Sequence, residues 1–233
     1  QAIPIHNPEP TSVIEGRIFQ YDATLTSGNG EATCNGCHPF MGADQLAWDL
    51  GAPDEHVTIN PQPNAVPVLP AEPTFHPMKG PMTTQVLKGT ATHGAMHWRG
   101  DRADGHFGLD PCNEPTGAAC NEDLSFRNFI VAFPGLVGHD GLISATDMQK
   151  FTDFALQVFL PPNPVRALDN TLNAPQEAGR RLFLASEGAP LSDFVATCDG
   201  CHKLSPIDGF FGAGGERTFE GEPQDMKVAH MRN

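Results

Sequence analysis

A mainly α protein, made of two related helical units tied by long loops, is the fold class this sequence predicts. Three observations carry that prediction. One motif occurs twice, as "TCNGCHPF" at Thr33 to Phe40 and "TCDGCHKL" at Thr197 to Leu204. Each copy follows a stretch with apolar residues near helical spacing. Gly and Pro, 24 and 22 of 233 residues, exceed ordinary usage, which cuts regular structure into short helices and leaves little room for sheet.

In the first unit, "EGRIFQYDATLTS" places Ile14, Ile18, Phe19 and Leu25 ahead of Cys34 at a helical period. In the second, "QEAGRRLFLASEG" places Leu182 and Phe183 ahead of Cys198. Gly16 stands 18 residues before Cys34 and Gly179 stands 19 before Cys198. Each unit therefore reads as helix, loop, then Cys-x-x-Cys-His opening a further helix. Between them, "SATDMQKFTDFALQVF" is the clearest helix of the chain. Ser144 or Thr146 can cap it, and Met148, Phe151, Phe154, Ala155, Val158 and Phe159 share one broad face. Pro161, Pro162 and Pro164 stop it. The boundary falls near residue 165, giving units of 1–165 and 166–233.

A net charge of −14 argues against nucleic acid, which calls for a basic face. It suits solubility and steering toward partner proteins with basic surfaces. No apolar run approaches a membrane span, and no basic-then-apolar leader opens the sequence, so Gln1 reads as a mature terminus. Cys112 and Cys120 lie in the loop-like "DPCNEPTGAACNED" and are expected to form a disulfide in an oxidising compartment.

Three chemistries use two cysteines at the spacing of Cys34 and Cys37. Zinc wants four ligands, usually from two close knuckles, whereas the two pairs here are 164 residues apart. A redox dithiol explains one pair but gives no reason for a histidine after each. Covalently attached haem accounts for every element. Two cysteines on one helical turn form thioethers with the haem vinyl groups, and the next residue turns its imidazole toward the iron. Chance would supply such a motif only about 0.007 times in a chain of this composition, so two copies are deliberate. Cys34, Cys37, Cys198 and Cys201 are thus the expected anchors of two haem c groups, with His38 and His202 as proximal ligands. Each proximal ring should donate its other N–H to a carbonyl.

Eight further histidines and seven methionines compete for the sixth positions. "TFHPMKGPMTTQ" holds His76, Met78 and Met82 in a loop that can pass over a haem face. His76 is the first choice there, with His56 and Met78 next. For the second haem, "QDMKVAHMRN" offers Met226, His230 and Met231, with His230 the favourite; Met231 also suits plain core packing.

In order along nearly the whole chain, these segments resemble the bacterial di-haem cytochrome c peroxidase and MauG-like family. "EGRIFQYDATLTSGNGEATCNGCH" resembles its opening and "MHWRGDR" its Trp-Asp-Gly-Arg segment. "FTDFALQVFLPPNPVRALDN" with "QEAGRRLF" and "CDGCH" is similar to its inter-domain helix and second haem site, and "MKVAHMRN" to the start of its closing element. The resemblance implies two cytochrome c-like domains packed face to face, with Trp98 between the haems, where its ring could pass electrons or simply pack. His76 falls where that family keeps a distal histidine. The sequence departs from the family in three respects. None of Asp110, Glu114, Glu122 and Asp123 stands in the context of the family's peroxide-cleaving acid. Only 32 residues follow Cys201, short of the family's second distal ligand. "GPMTTQ" lacks the asparagine on which its calcium depends, so calcium is a doubtful cofactor.

The expected function is single-electron transfer between redox partners, in the periplasm or outside the cell, where c-type haem is attached. A peroxidase or MauG-like oxidase is the alternative, with one sixth position open or displaceable. A third reading is a cytochrome module of a longer protein or assembly, in which a histidine such as His6 could ligate a neighbouring chain's haem.

Overall fold

A computed structural model describes residues 3, 6–49, 81–92, 96–98, 121–184, 198–202, 227 and 229–231, with strand residues 58–59, 74–75, 204–205 and 210–211. Among these the protein is mainly α. Its helices are α1 (Thr11–Tyr21), α2 (Ala23–Thr26), α3 (Cys34–Cys37), α4 (Glu122–Arg127), α5 (Ala132–Val137), α6 (Ala145–Ala155), α7 (Ala174–Phe183) and α8 (Cys198–Cys201). The strands are two residues each and pair antiparallel: β1 (Ala47–Trp48) with β4 (Met82–Thr83), β2 (Thr58–Ile59) with β3 (Thr74–Phe75), and β5 (Leu204–Ser205) with β6 (Phe210–Phe211). No helix among the described residues is long and apolar enough to cross a membrane.

Helix α6 forms where the sequence places it. The Ser144 hydroxyl accepts a bond from the Asp147 amide at 3.0 Å, satisfying one of the donors that a helix start leaves over. Met148, Phe151, Phe154 and Ala155 are buried as expected. Regular helix ends at Ala155, however, and the face does not run on to Phe159, which is 65% exposed. Just beyond, the Val158 carbonyl accepts a bond from the Gly89 amide at 2.7 Å, which turns the chain toward the segment 81–92.

Phe151 sits at the centre of the core. Its ring lies 5.2 Å from Phe126, 6.2 Å from Phe133 and 6.3 Å from Phe19, with the first two contacts edge-on. Edge-on packing suits the quadrupole of an aromatic ring, and burying each ring contributes about 2 to 3 kcal/mol. Met41, Met96, Ile143, Met148, Phe154 and Ala155 complete the cluster.

Helix α1 packs on α6 at very short range. A Cβ on Gly16 would lie 2.0 Å from the Lys150 carbonyl oxygen and 2.5 Å from the Phe154 Cβ. Gly16, Phe19 and Gln20 are the buried residues of α1. Ile14 and Ile18 fall on another face and are half exposed, as is Leu25; the apolar period of this stretch thus marks two faces, of which one meets α6. Around the related Gly179 on α7 no described residue comes near the Cβ position, and Leu182 is exposed. Local chemistry supports helix α7. Asn173 and Gln176 form a reciprocal capping box, and Arg180, then Arg181, hold the Glu177 carboxyl down to about 2.

Candidate functional site

Two short helices present the same local geometry. In the first, the His38 amide donates to the Cys34 carbonyl at 2.8 Å; in the second, the His202 amide donates to the Cys198 carbonyl at 2.8 Å. One helical turn therefore carries each Cys-x-x-Cys pair and delivers the histidine at its C-terminal end. Around His38 the backbone is tied further. Gln20, fully buried on α1, donates from Nε2 to the His38 carbonyl at 3.0 Å. Phe40 and Met41 follow with φ of 52° and 61°, a left-handed turn that bulky residues rarely take and that tertiary packing must hold in place. Met41 is buried, Phe40 is 75% exposed, and the Met41 carbonyl accepts from both Leu87 and Lys88 amides.

Both imidazoles use Nδ1 on a distant carbonyl. His38 Nδ1 lies 2.8 Å from the Gln85 oxygen, and His202 Nδ1 lies 2.9 Å from the Ala229 oxygen. A carbonyl can only accept, so Nδ1 carries a proton in each ring, and Nε2 is the nitrogen left to meet a metal. Burial pushes the His38 imidazole below its ordinary value, against the opposing pull of the Gln85 bond, and the charge of His97 adds to the downward push. The Gly42 backbone bond opposes that push as the Gln85 bond does, and the net direction favours the neutral imidazole, the form a metal ligand needs.

The thiols are arranged differently from a redox dithiol. Cys34, Cys37 and Cys198 are not in disulfides. Burial pushes the Cys34 thiol up to about 11 and raises Cys37 as well, helped by Asp44. A reactive dithiol needs the opposite shift, toward thiolate. Among the described residues no three His, Cys, Asp or Glu side chains converge as a metal-binding group.

Trp98 lies between the two motifs in a web of backbone bonds. Its indole Nε1 donates to the Thr83 carbonyl at 2.7 Å, and its own carbonyl accepts from the Lys227 amide at 3.1 Å. Thr83 belongs to β4, held to β1 by the pairs Ala47–Thr83 and Trp48–Met82, and the Trp48 indole donates to Asp44 at 2.8 Å. His97, just before Trp98, takes φ 67° and packs edge-on against Phe129 at 6.2 Å. Sequence reasoning left His97 as one histidine among eight; its nearness to His38 is a tertiary fact with no local signature. His230 follows directly on Ala229, so its backbone starts on the Nδ1 side of His202. His76, His56, Met78, Met226, Asp110, Glu114 and the pair Cys112 and Cys120 lie outside the described residues.

Glu122, named in the sequence without a context, has one here. It opens α4, capped by Asn121, whose side chain accepts from the Leu124 amide at 2.9 Å. Burial pushes its carboxyl up to about 7, against the lowering influence of its own backbone amide and of Lys227; burial pushes Lys227 down to about 8, against Glu122. Folded Glu122 holds its proton to higher pH than the unfolded residue, whose ordinary value is 4.5. Its contribution to stability is therefore fully present below 4.5 and lost as pH rises through about 7. Glu122→Gln should flatten that fall: urea midpoints at about pH 5 and about pH 7.5 should differ less than in the parent protein. An equal fall in both proteins would show that Glu122 is not the group responsible.

No family model matches the chain, and no curated protein matches it. Among solved structures it is similar to hydrazine synthase from Kuenenia stuttgartiensis, in a form pressurised with xenon. The TM-score is 0.51 at 16% identity, over 91% of this chain and 55% of that one. This chain thus spans about half the length of that neighbour, and the likeness is one of fold.

Proposed function

We propose that the chain is a di-haem c-type cytochrome that passes single electrons between protein partners, as two cytochrome c-like units meeting near residue 165. The observation that supports this most directly is the repeated brace: Cys-x-x-Cys on one helical turn, then a histidine whose Nδ1 is 2.8 or 2.9 Å from a carbonyl. Bound haem supplies an iron that gains and loses one electron. Cys34 with Cys37, and Cys198 with Cys201, would tether the two groups, and His38 and His202 would ligate them through Nε2. The Nδ1–H donors keep each ring from rotating and raise its basicity toward the metal. Two histidines compete for the sixth position opposite His38: His76, and His97, whose charge reaches His38. His230 is expected from sequence to be the sixth ligand of the second site. Its backbone follows directly on Ala229, whose carbonyl is 2.9 Å from His202 Nδ1, and Met226 and Met231 are the other sequence candidates for that position. The acidic surface suits basic redox partners, and haem attachment through thioethers places the protein in the periplasm or outside the cell. Calcium has no part in this proposal.

One observation favours the peroxidase-like alternative. Glu122, with its carboxyl at about 7, could hold or release a proton near neutral pH, and its neighbour Lys227 bonds through its amide to Trp98. The mass of acid-denatured protein tests the haem reading itself. Two porphyrin increments above the polypeptide are expected, and the bare polypeptide mass would reject it. Spectra of half-reduced protein with peroxide then separate the two activities, since turnover with a high-spin signal would favour the alternative.

A further inference from the structure

The two proximal histidines are joined by a single line of bonds that runs through Trp98. From His38 Nδ1 the line goes to the Gln85 carbonyl at 2.8 Å, then back two residues to the Thr83 carbonyl, which accepts the Trp98 indole at 2.7 Å. From the Trp98 carbonyl it goes to the Lys227 amide at 3.1 Å, then on two residues to the Ala229 carbonyl, which accepts His202 Nδ1 at 2.9 Å. The two arms match. On each side a Trp98 bond fixes a backbone position two residues from the carbonyl that orients an imidazole. The arms also differ in kind, since one uses the indole N–H and the other the backbone oxygen.

We infer that Trp98 is a positioning residue for both haem irons, setting the Nδ1 hydrogen bond of His38 through its ring and that of His202 through its carbonyl. This rests on the di-haem reading and is separate from any passage of electrons through the indole. The physical consequence follows from ligand basicity. A firm Nδ1–H···O bond makes the imidazole a better donor and favours ferric iron; a loosened one raises the reduction potential. Each lever is only two residues long, so a shift at Thr83 or Lys227 is passed to Gln85 or Ala229 over a short stretch of chain.

The arms can be broken one at a time in the loaded protein. Trp98→Phe removes the indole donor and keeps the carbonyl. Potentiometric titration should show the first haem's potential moving up and the second unchanged, and the low-spin ferric resonance of the first haem should change with its ring orientation. Lys227→Pro removes the amide donor to Trp98, and Lys227→Met removes the charge alone; only the proline variant should add a shift at the second haem beyond that of the methionine variant. If Trp98→Phe fails to fold, benzothienylalanine at position 98, which keeps the shape and lacks the N–H, asks the same question. Unchanged potentials and resonances in a variant that retains both porphyrins by mass would overturn the role of Trp98. Equal shifts of both haems in Trp98→Phe would overturn it too, pointing to general packing. Absence of porphyrin from the unaltered protein would instead refute the di-haem reading.

Discussion

A chain in which Cys34 and Cys37 are both alanine should carry one porphyrin instead of two. The tether at this site is the pair of thiols on α3, and without them a haem would be held only by bonds to its iron ligands, which acid denaturation breaks. The acid-denatured mass should drop by one porphyrin increment, and the visible absorbance per chain should fall to about half. The mirror variant, Cys198→Ala with Cys201→Ala, should lose the other increment and keep the first. Because the aromatic cluster around Phe151 is built from α1, α4, α5 and α6, the first variant should still fold. Two porphyrins surviving in either variant would mean that other residues anchor them.

The largest effect on stability is expected at Gly16. Alanine there would place its Cβ 2.0 Å from the Lys150 carbonyl oxygen, well inside any permitted contact, and both atoms belong to the framework of packed helices. The helices must part, which loosens Phe19, Phe151 and Phe154 together. Overpacking of this kind costs about 3 kcal/mol, to be read from urea or guanidinium midpoints at unchanged slope. Gly179→Ala is the natural control, because nothing among the described residues lies near its Cβ position and alanine favours a helix interior by about 1 kcal/mol over glycine. Opposite signs at the two related glycines are therefore expected. A destabilisation at Gly179 as large as that at Gly16 would contradict the packing described.

Much of this architecture was legible in the sequence because its signals are local. The duplicated Cys-x-x-Cys-His, the Ser144 cap and the apolar face of α6 each occupy a few neighbouring residues, and the helices appear there. The failures are of tertiary origin. Ile14, Ile18 and Leu25 fit a helical period yet are half exposed, since the period cannot say which face of α1 meets Gly16's partner. Gln85 and Ala229 had no signal at all. Any residue can present a carbonyl, and these two reach their histidines across 47 and 27 positions of chain. His97 and Glu122 acquire meaning from what the fold brings beside them, and Trp98 was singled out through family likeness while its bonds to Thr83 and Lys227 were not foreseen.

The contact between Gly16 and Lys150 acts as a clasp, with the Cys34 anchor and the segment 81–92 both strung inside it. Once a clasp is shut, the entropy of the thread it closes grows only with the logarithm of its length, about 0.6 kcal/mol for each doubling. Lengthening the chain that this contact closes would thus add little to the closure cost. What could not be altered cheaply is the short stretch from Met82 to Gly89, where the Thr83 and Gln85 carbonyls and the Thr84, Leu87, Lys88 and Gly89 amides all bond to distant residues.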